Sequence, residues 1–386
     1  MSSPDLTDAD RQAVLDVLNT PILSMGERIK AFERAFCDFT GAKHAIGVNS
    51  GTAGLHLCVR AAGISAGDLV ITTPFSFVAS TNVILFEGAI PIYVDVNPQT
   101  GNIDPVQVAE AAQDLMEAGR NAKRWMPRNT DIKAARPKAI IPVDVFGQPA
   151  DLDPICKAAD AFGLKVIEDS CEALGGEYKD RKAGTLGDYG VFAFYPNKQI
   201  TTGEGGMVVT DDEDAAGLMR ALRNQGRAPG DTWLQHTHLG YNYRLDEMSA
   251  ALGVTQLARL EELLEKRERV AAWYNERLAE IPGVEIPILE PFTTRMSWFV
   301  YVVRFAPEVN RDQMAARLEG GGIPVRPYFL PIHLQPYMVE RFGYREGDFP
   351  ITEDLGRRGL ALPFSGVMSE AQVEQVCQAI REVLRG

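Results

Sequence analysis

Cysteine is scarce in this chain. Cys37, Cys58, Cys156, Cys171 and Cys377 are scattered, odd in number and free of any C-x-x-C pair. That pattern argues against a zinc or iron–sulfur site, so no metal ligands are expected, and it suits reduced thiols in a cytosolic compartment. Long apolar runs are missing too: none approaches the ~18 residues of a spanning helix. Met1-Ser2-Ser3-Pro4-Asp5 is polar, without a signal-peptide core. A cytoplasmic location and no membrane partner are the expectation. Positive charge is in deficit, with 39 Lys and Arg against 52 Asp and Glu and a net charge of −13. Such a surface repels nucleic acid and anionic membranes. A phosphorylated ligand would therefore need local positive charge or backbone N–H groups.

What is present is ordinary globular composition, 45% hydrophobic and 24% charged, over 386 residues. That length suits a large domain and a smaller one rather than one small core. The chain is organised around residues 187–210. Val191-Phe192-Ala193-Phe194 reads as a buried strand, stopped by Pro196 and Asn197. Lys198 follows in a loop that turns through Gly203, Gly205 and Gly206 before Met207-Val208-Val209 resumes as a strand. A lysine framed in this way is poorly placed for solvation, and a desolvated amine is what a Schiff-base lysine requires. Upstream, Leu164-Lys165-Val166-Ile167-Glu168-Asp169 is a short strand ending in two carboxylates. An acid at the carboxyl end of a parallel strand points into the crevice where α/β sheets bind ligands. Pyridoxal phosphate needs both a lysine for its aldehyde and an acid for its ring nitrogen. Asp169 is the candidate acid; its plainer role is a helix cap before Ser170.

Taken in order, Thr7 caps a predicted helix over 7–20, and a second runs from Glu27 to Thr40 with Gly41 as its stop. Ala45–Val48 reads as a strand that leads through Asn49-Ser50-Gly51-Thr52-Ala53-Gly54 into a helix. Such a turn offers free N–H groups and a positive dipole end to a phosphate. Leu69–Thr72 and Ile90–Asp95 are further strands, and their alternation with helices predicts a parallel sheet. Residues 119–138 are polar and rich in Arg and Lys. They read as a solvated insertion, with a basic flap near an anionic substrate as the lesser alternative. Asp246–Ile281 reads as one long helix ending at Pro282-Gly283, and a smaller region with strand Phe299–Val303 follows. The Pro- and aromatic-rich loop Arg326–His333 could line a substrate mouth, which makes Tyr328 and His333 candidates; a lone histidine is more often structural.

Five motifs occur in one order: Asn49–Leu55, Val166–Asp169, Tyr195-Pro196-Asn197-Lys198, Thr202-Gly203-Glu204-Gly205-Gly206 and Gly240-Tyr241-Asn242-Tyr243-Arg244-Leu245. Together they resemble the DegT/DnrJ/EryC1/StrS family of pyridoxal-phosphate nucleotide-sugar aminotransferases, and the likeness runs from about Ile22 to the C-terminus. The resemblance implies a fold type I α/β architecture: a large cofactor domain over residues 1–250 with a mainly parallel sheet flanked by helices, then a connecting helix and a smaller α+β domain over 251–386. The N-terminal helices would be free to pack on the smaller domain.

It also implies roles. Lys198 would carry pyridoxal phosphate and Asp169 would protonate its ring. Gly51, Thr52 and Ala53 would hold its phosphate, Phe77 would stack on its pyridine, and Glu172 would contact its phenolic side. Asn242 of a second copy would reach the phosphate, making the enzyme a homodimer with a shared active site. The amino donor would be glutamate and the acceptor a nucleotide-diphosphate-linked keto-sugar, a deoxy sugar of amino-sugar or polysaccharide biosynthesis. The alternatives are a cyclitol or other ring ketone without a nucleotide, and a non-catalytic regulatory homologue. One departure is Ala193, where many members of that family carry a phosphate-binding serine.

Overall fold

The computed structural model describes residues 3–130, 135–228 and 230–385. Seven strands make the principal sheet, in the order His44–Val48, Gly206–Thr210, Tyr189–Ala193, Lys165–Asp169, Pro137–Ile141, Leu69–Thr72 and Ile90–Tyr93. All neighbours pair in parallel except Gly206–Thr210, which runs antiparallel to both of its partners. The parallel strands are nearly continuous apolar runs because helices cover both faces. Gly51–Ala61 and Glu213–Arg223 pack on one face through Leu55, Val59, Met219 and Leu222. Pro105–Glu117 and Leu152–Phe162 cover another part of the sheet through Val108, Leu115 and Ile155. The sequence thus yields the mainly parallel α/β architecture expected of it.

Local signals placed the helices well. Thr7 and Asp10 form a reciprocal capping box on helix Asp8–Leu18. Helix Glu27–Thr40 ends at Gly41 in the left-handed conformation, φ 80°. Phe32 and Phe36 from that helix pack against Phe192 and Phe194, so the lysine-bearing segment is held from behind.

A second sheet, Val284–Glu285, Tyr301–Phe305, Gly359–Leu362 and Arg326–Pro327, is antiparallel and has its own core with helices Leu260–Leu278, Arg311–Gly320 and Glu370–Arg385. The expected single helix over 246–281 is in fact two, Glu247–Ala258 and Leu260–Leu278, broken at Arg259. The cause is long-range: the Arg259 guanidinium is drawn to Asp5 and Asp10 of the N-terminal segment as well as to Glu262. The Arg259 N–H turns back to Gln256 and Leu257 instead of continuing the i−4 ladder.

The polar stretch after helix Pro105–Glu117 is a strut in its described part. Arg124 and Trp125 bond Asp114, and Arg128 forms a two-pronged pair with Asp348. Residues 131–134 of that stretch lie outside the described residues. None of the described residues of the stretch lines the cavity treated next, so nothing favours the basic-flap alternative.

Candidate active site

The carboxyl ends of the parallel strands open onto one cavity of about 420 Å³, within the usual range for small-molecule sites. Among the residues around it are Ser50, Gly51, Thr52, Phe77, Asp169, Glu172, Lys198 and Tyr328. Segments far apart in sequence are brought together there by the parallel order of the strands that precede them.

Lys198 sits just after Tyr189–Ala193, its N–H donating to the Tyr195 carbonyl at 2.9 Å. Its side chain is 12% exposed, and Nζ lies 3.7 Å from Glu172 Oε1 and 3.7 Å from the centre of the Phe299 ring. The amine is thus desolvated, with one carboxylate and one aromatic face for company.

Asp169 ends its strand buried at 5% exposure. No helix follows it, so the helix-cap role does not arise; the Cys171 N–H donates to Oδ1 at a long 3.3 Å. Burial pushes its carboxyl up from the ordinary range, opposed by the Cys171 bonds, the charge of Lys198 and Ser80. Glu172 is buried as well: Oε2 accepts the Phe146 N–H at 2.9 Å, and burial again raises its carboxyl.

Ser50 caps helix Gly51–Ala61 by accepting the Ala53 N–H. The first N–H groups of a helix have no intrahelical partner, so those of Gly51 and Thr52 remain for a ligand at the positive end of the dipole. A Cβ at Gly51 would meet Ala193 Cβ and Cys171 Sγ at 2.8 Å, so only glycine fits this close approach. Phe77 is 64% exposed beside the cavity, so its ring is free for a ligand rather than packed in the core.

Three candidates do not join the cavity. Ala53 is buried with its N–H given to Ser50 Oγ, so it has no donor left for a phosphate. His333 is fully buried with Nε2 3.0 Å from Glu353 and its ring against Phe349, so burial in its own cluster takes it away from the mouth. Asn242 is exposed and pairs across to Asn224; it is absent from the lining within its own chain. The sequence reading missed Cys171, Phe299 and Phe329, which also line the cavity. Phe299 was legible only as an apolar strand residue.

Behind Asp169 lies a second buried acid layer. Asp144 accepts from Ser170 Oγ at 2.6 Å and from the Ala150 N–H, while Glu168 accepts backbone N–H groups of Gly184, Leu186 and Gly187. Burial raises Asp144 to about 8 and Glu168 to about 7. An acid whose folded-state pKa is raised binds its proton more tightly when folded, so its contribution is greatest below the unfolded value and falls as pH rises toward the folded one. Asp144→Asn, which stays neutral, is expected to shrink the loss of melting temperature between pH 6 and pH 8.5 relative to wild type. An equal loss in both would contradict the assignment.

These residues fit pyridoxal phosphate: a shielded amine, a buried acid with no ion-pair partner among the described residues, and a helix N-terminus whose first N–H groups have no intrahelical partner converge on one cavity. The family model for the DegT/DnrJ/EryC1/StrS aminotransferase family matches residues 4–381. GDP-perosamine synthase of Caulobacter vibrioides is 38% identical over all of this chain and 98% of its own length. The spore coat polysaccharide biosynthesis protein SpsC of Bacillus subtilis is 35% identical over 100% and 97%. Helicobacter pylori PseC, an aminotransferase involved in the biosynthesis of pseudoaminic acid, superposes with a TM-score of 0.88 at 28% identity, covering 100% and 98%. The chain belongs to the DegT/DnrJ/EryC1/StrS family of pyridoxal-phosphate-dependent sugar aminotransferases, and its fold is theirs. Among the described residues no helix is long and apolar enough to cross a membrane.

Proposed function

We propose that this member of the DegT/DnrJ/EryC1/StrS family moves the amino group of glutamate to a keto group of a nucleotide-diphosphate-linked sugar, with Lys198 and Asp169 at the reacting centre. The observation that supports this most is the placing of the Lys198 amine and the Asp169 carboxyl on one shielded cavity. The nucleotide-sugar acceptor is supported by the likeness to GDP-perosamine synthase.

Pyridoxal phosphate, when bound, supplies an electron sink for the pair left on the amino acid's α-carbon. The residues of the chain do the rest. Lys198 would be the attachment point for the aldehyde, and its freed amine would carry the proton between the amino acid's α-carbon and the cofactor's C4′. Asp169 would keep the ring nitrogen protonated, since a buried carboxyl gains most from facing a cation. The Gly51 and Thr52 N–H groups and the Thr52 hydroxyl would hold the phosphate, Phe77 would stack on the ring and Glu172 would orient its phenolic side. Tyr328 stands at the acceptor's end. In a homodimer, exposed Asn242 would serve the partner's site. The same reading divides the chain at about residue 250, between the two sheets.

Ala193 lines the cavity where a serine would add a phosphate bond. Ala193→Ser is expected to lower the dissociation constant for pyridoxal phosphate about 2- to 10-fold, the worth of one added hydrogen bond. Unchanged or weaker binding, measured by fluorescence titration, would show that the phosphate sits elsewhere.

One observation favours the runner-up, a ring ketone without a nucleotide. Lys198 is the single cationic side chain among the described lining residues, leaving none of this chain's own for a diphosphate. The experiment loads the enzyme with glutamate and offers a panel of ketones with and without a nucleotide. Restoration of the starting absorbance by nucleotide-linked keto-sugars alone supports the proposal; restoration by free ring ketones alone overturns it.

A further inference from the structure

Helix Leu260–Leu278 presents one arginine to the interior. Arg267 is 5% exposed, and among the described residues it has no carboxylate partner. Burial alone pushes its guanidinium down to about 10, so it remains a cation at neutral pH. A buried charge without a counter-ion is costly unless its donors are satisfied. Here every bond goes to a main-chain carbonyl. Nη2 donates to Lys198 O at 2.6 Å and to Asn197 O at 3.4 Å. Nη1 donates to Trp298 O and Phe299 O, both at 3.2 Å.

The four acceptors belong to two segments that meet nowhere in sequence. One carries the lysine. The other carries Phe299, whose ring lies 3.7 Å from the lysine's Nζ. Trp298 reaches this place at φ 50°, an unusual conformation for a bulky residue, and the Phe299 N–H is held by Phe146 O. The planar fork of an arginine can bridge two such pairs of carbonyls at fixed spacing, whereas a lysine offers one point charge.

We propose that Arg267 is a positioning residue for Lys198: by bonding the carbonyls of both Lys198 and Phe299 it fixes the amine against the aromatic face and aims it into the cavity. This rests on the reading of Lys198 given above. Arg267 does not itself line the cavity and, on this account, does not touch the substrate; it acts through the backbone of Asn197, Lys198 and Phe299, which do line it.

The test compares Arg267→Lys and Arg267→Gln with wild type and with Arg277→Lys, a control at an ion-paired arginine further along the same helix. Each protein is loaded with pyridoxal phosphate and read in three ways: kcat and KM for glutamate, the pH midpoint of the visible absorbance, and the rate at which borohydride fixes the pyridoxyl group on Lys198. Misplacing a reacting group by about 1 Å costs about 10²-fold. The expected result is a fall in kcat of that order in both Arg267 variants, with KM for glutamate changed less than about 3-fold. The absorbance midpoint moves and fixation on Lys198 slows, with more activity kept in the lysine variant than in the glutamine one. Arg277→Lys matches wild type. Variants that melt like wild type with an unmoved midpoint and an unslowed fixation rate would overturn the proposal. So would failure of both to fold, which would make the residue a core element only. Fixation on another residue in wild type would instead overturn the reading of Lys198 itself.

Discussion

Lys198→Ala loses at least about 10⁴-fold in turnover while the protein keeps its fold and its assembly. The loss follows from the double duty of one amine, which both holds the cofactor and carries the proton, so no neighbour can substitute. Glu172, whose Oε1 lies 3.7 Å from the amine, is an acid held by the Phe146 N–H and cannot form a Schiff base with an aldehyde. The fold survives because the structural bonds at this position are main-chain. The Lys198 N–H reaches Tyr195 and its carbonyl receives Arg267, and alanine retains both. Turnover by coupled assay, with size-exclusion chromatography and thermal melting alongside, checks it. Activity near wild type in a folded variant would remove Lys198 from the reaction.

Asp169→Asn is expected to separate stability from activity. The carboxyl is buried and raised by that burial, so in the cofactor-free protein a neutral amide should cost nothing and should raise the melting temperature at pH 8. In the loaded enzyme the same change removes the anion facing the protonated ring nitrogen. Losing one preorganised electrostatic partner costs on the order of 10²–10³-fold in kcat. Folded stability thus rises where function falls, as expected for a group kept for chemistry. The check is a pair of measurements on one preparation, the melting temperature without cofactor and kcat with it. Wild-type kcat, or a variant that is less stable at pH 8, would count against the role.

Much of this was legible in local sequence. The Thr7 cap, the Gly41 stop and the short apolar strands ending at Val48, Thr72, Asp169 and Ala193 are decided by neighbours in the chain. The cavity inherits that legibility, since Asp169 ends a strand and Gly51, Thr52 and Lys198 follow shortly after strand ends. What stayed hidden depends on contacts between distant segments. The break at Arg259 comes from Asp5 and Asp10, some two hundred and fifty residues away, and helical periodicity runs straight through it. Arg267 lies in a charged run that reads as a solvated face, yet it turns inward to four carbonyls. His333 failed in the opposite direction: an aromatic- and proline-rich loop suggested a mouth, but Glu353 and Phe349 hold the ring inside.

The most direct test of the account is to reduce the pyridoxal-phosphate-loaded protein with borohydride and map the modified peptide by mass spectrometry. The account predicts a pyridoxyl group on Lys198 and on no other lysine. An unmodified Lys198 in fully loaded protein, with the label elsewhere or absent, would contradict it.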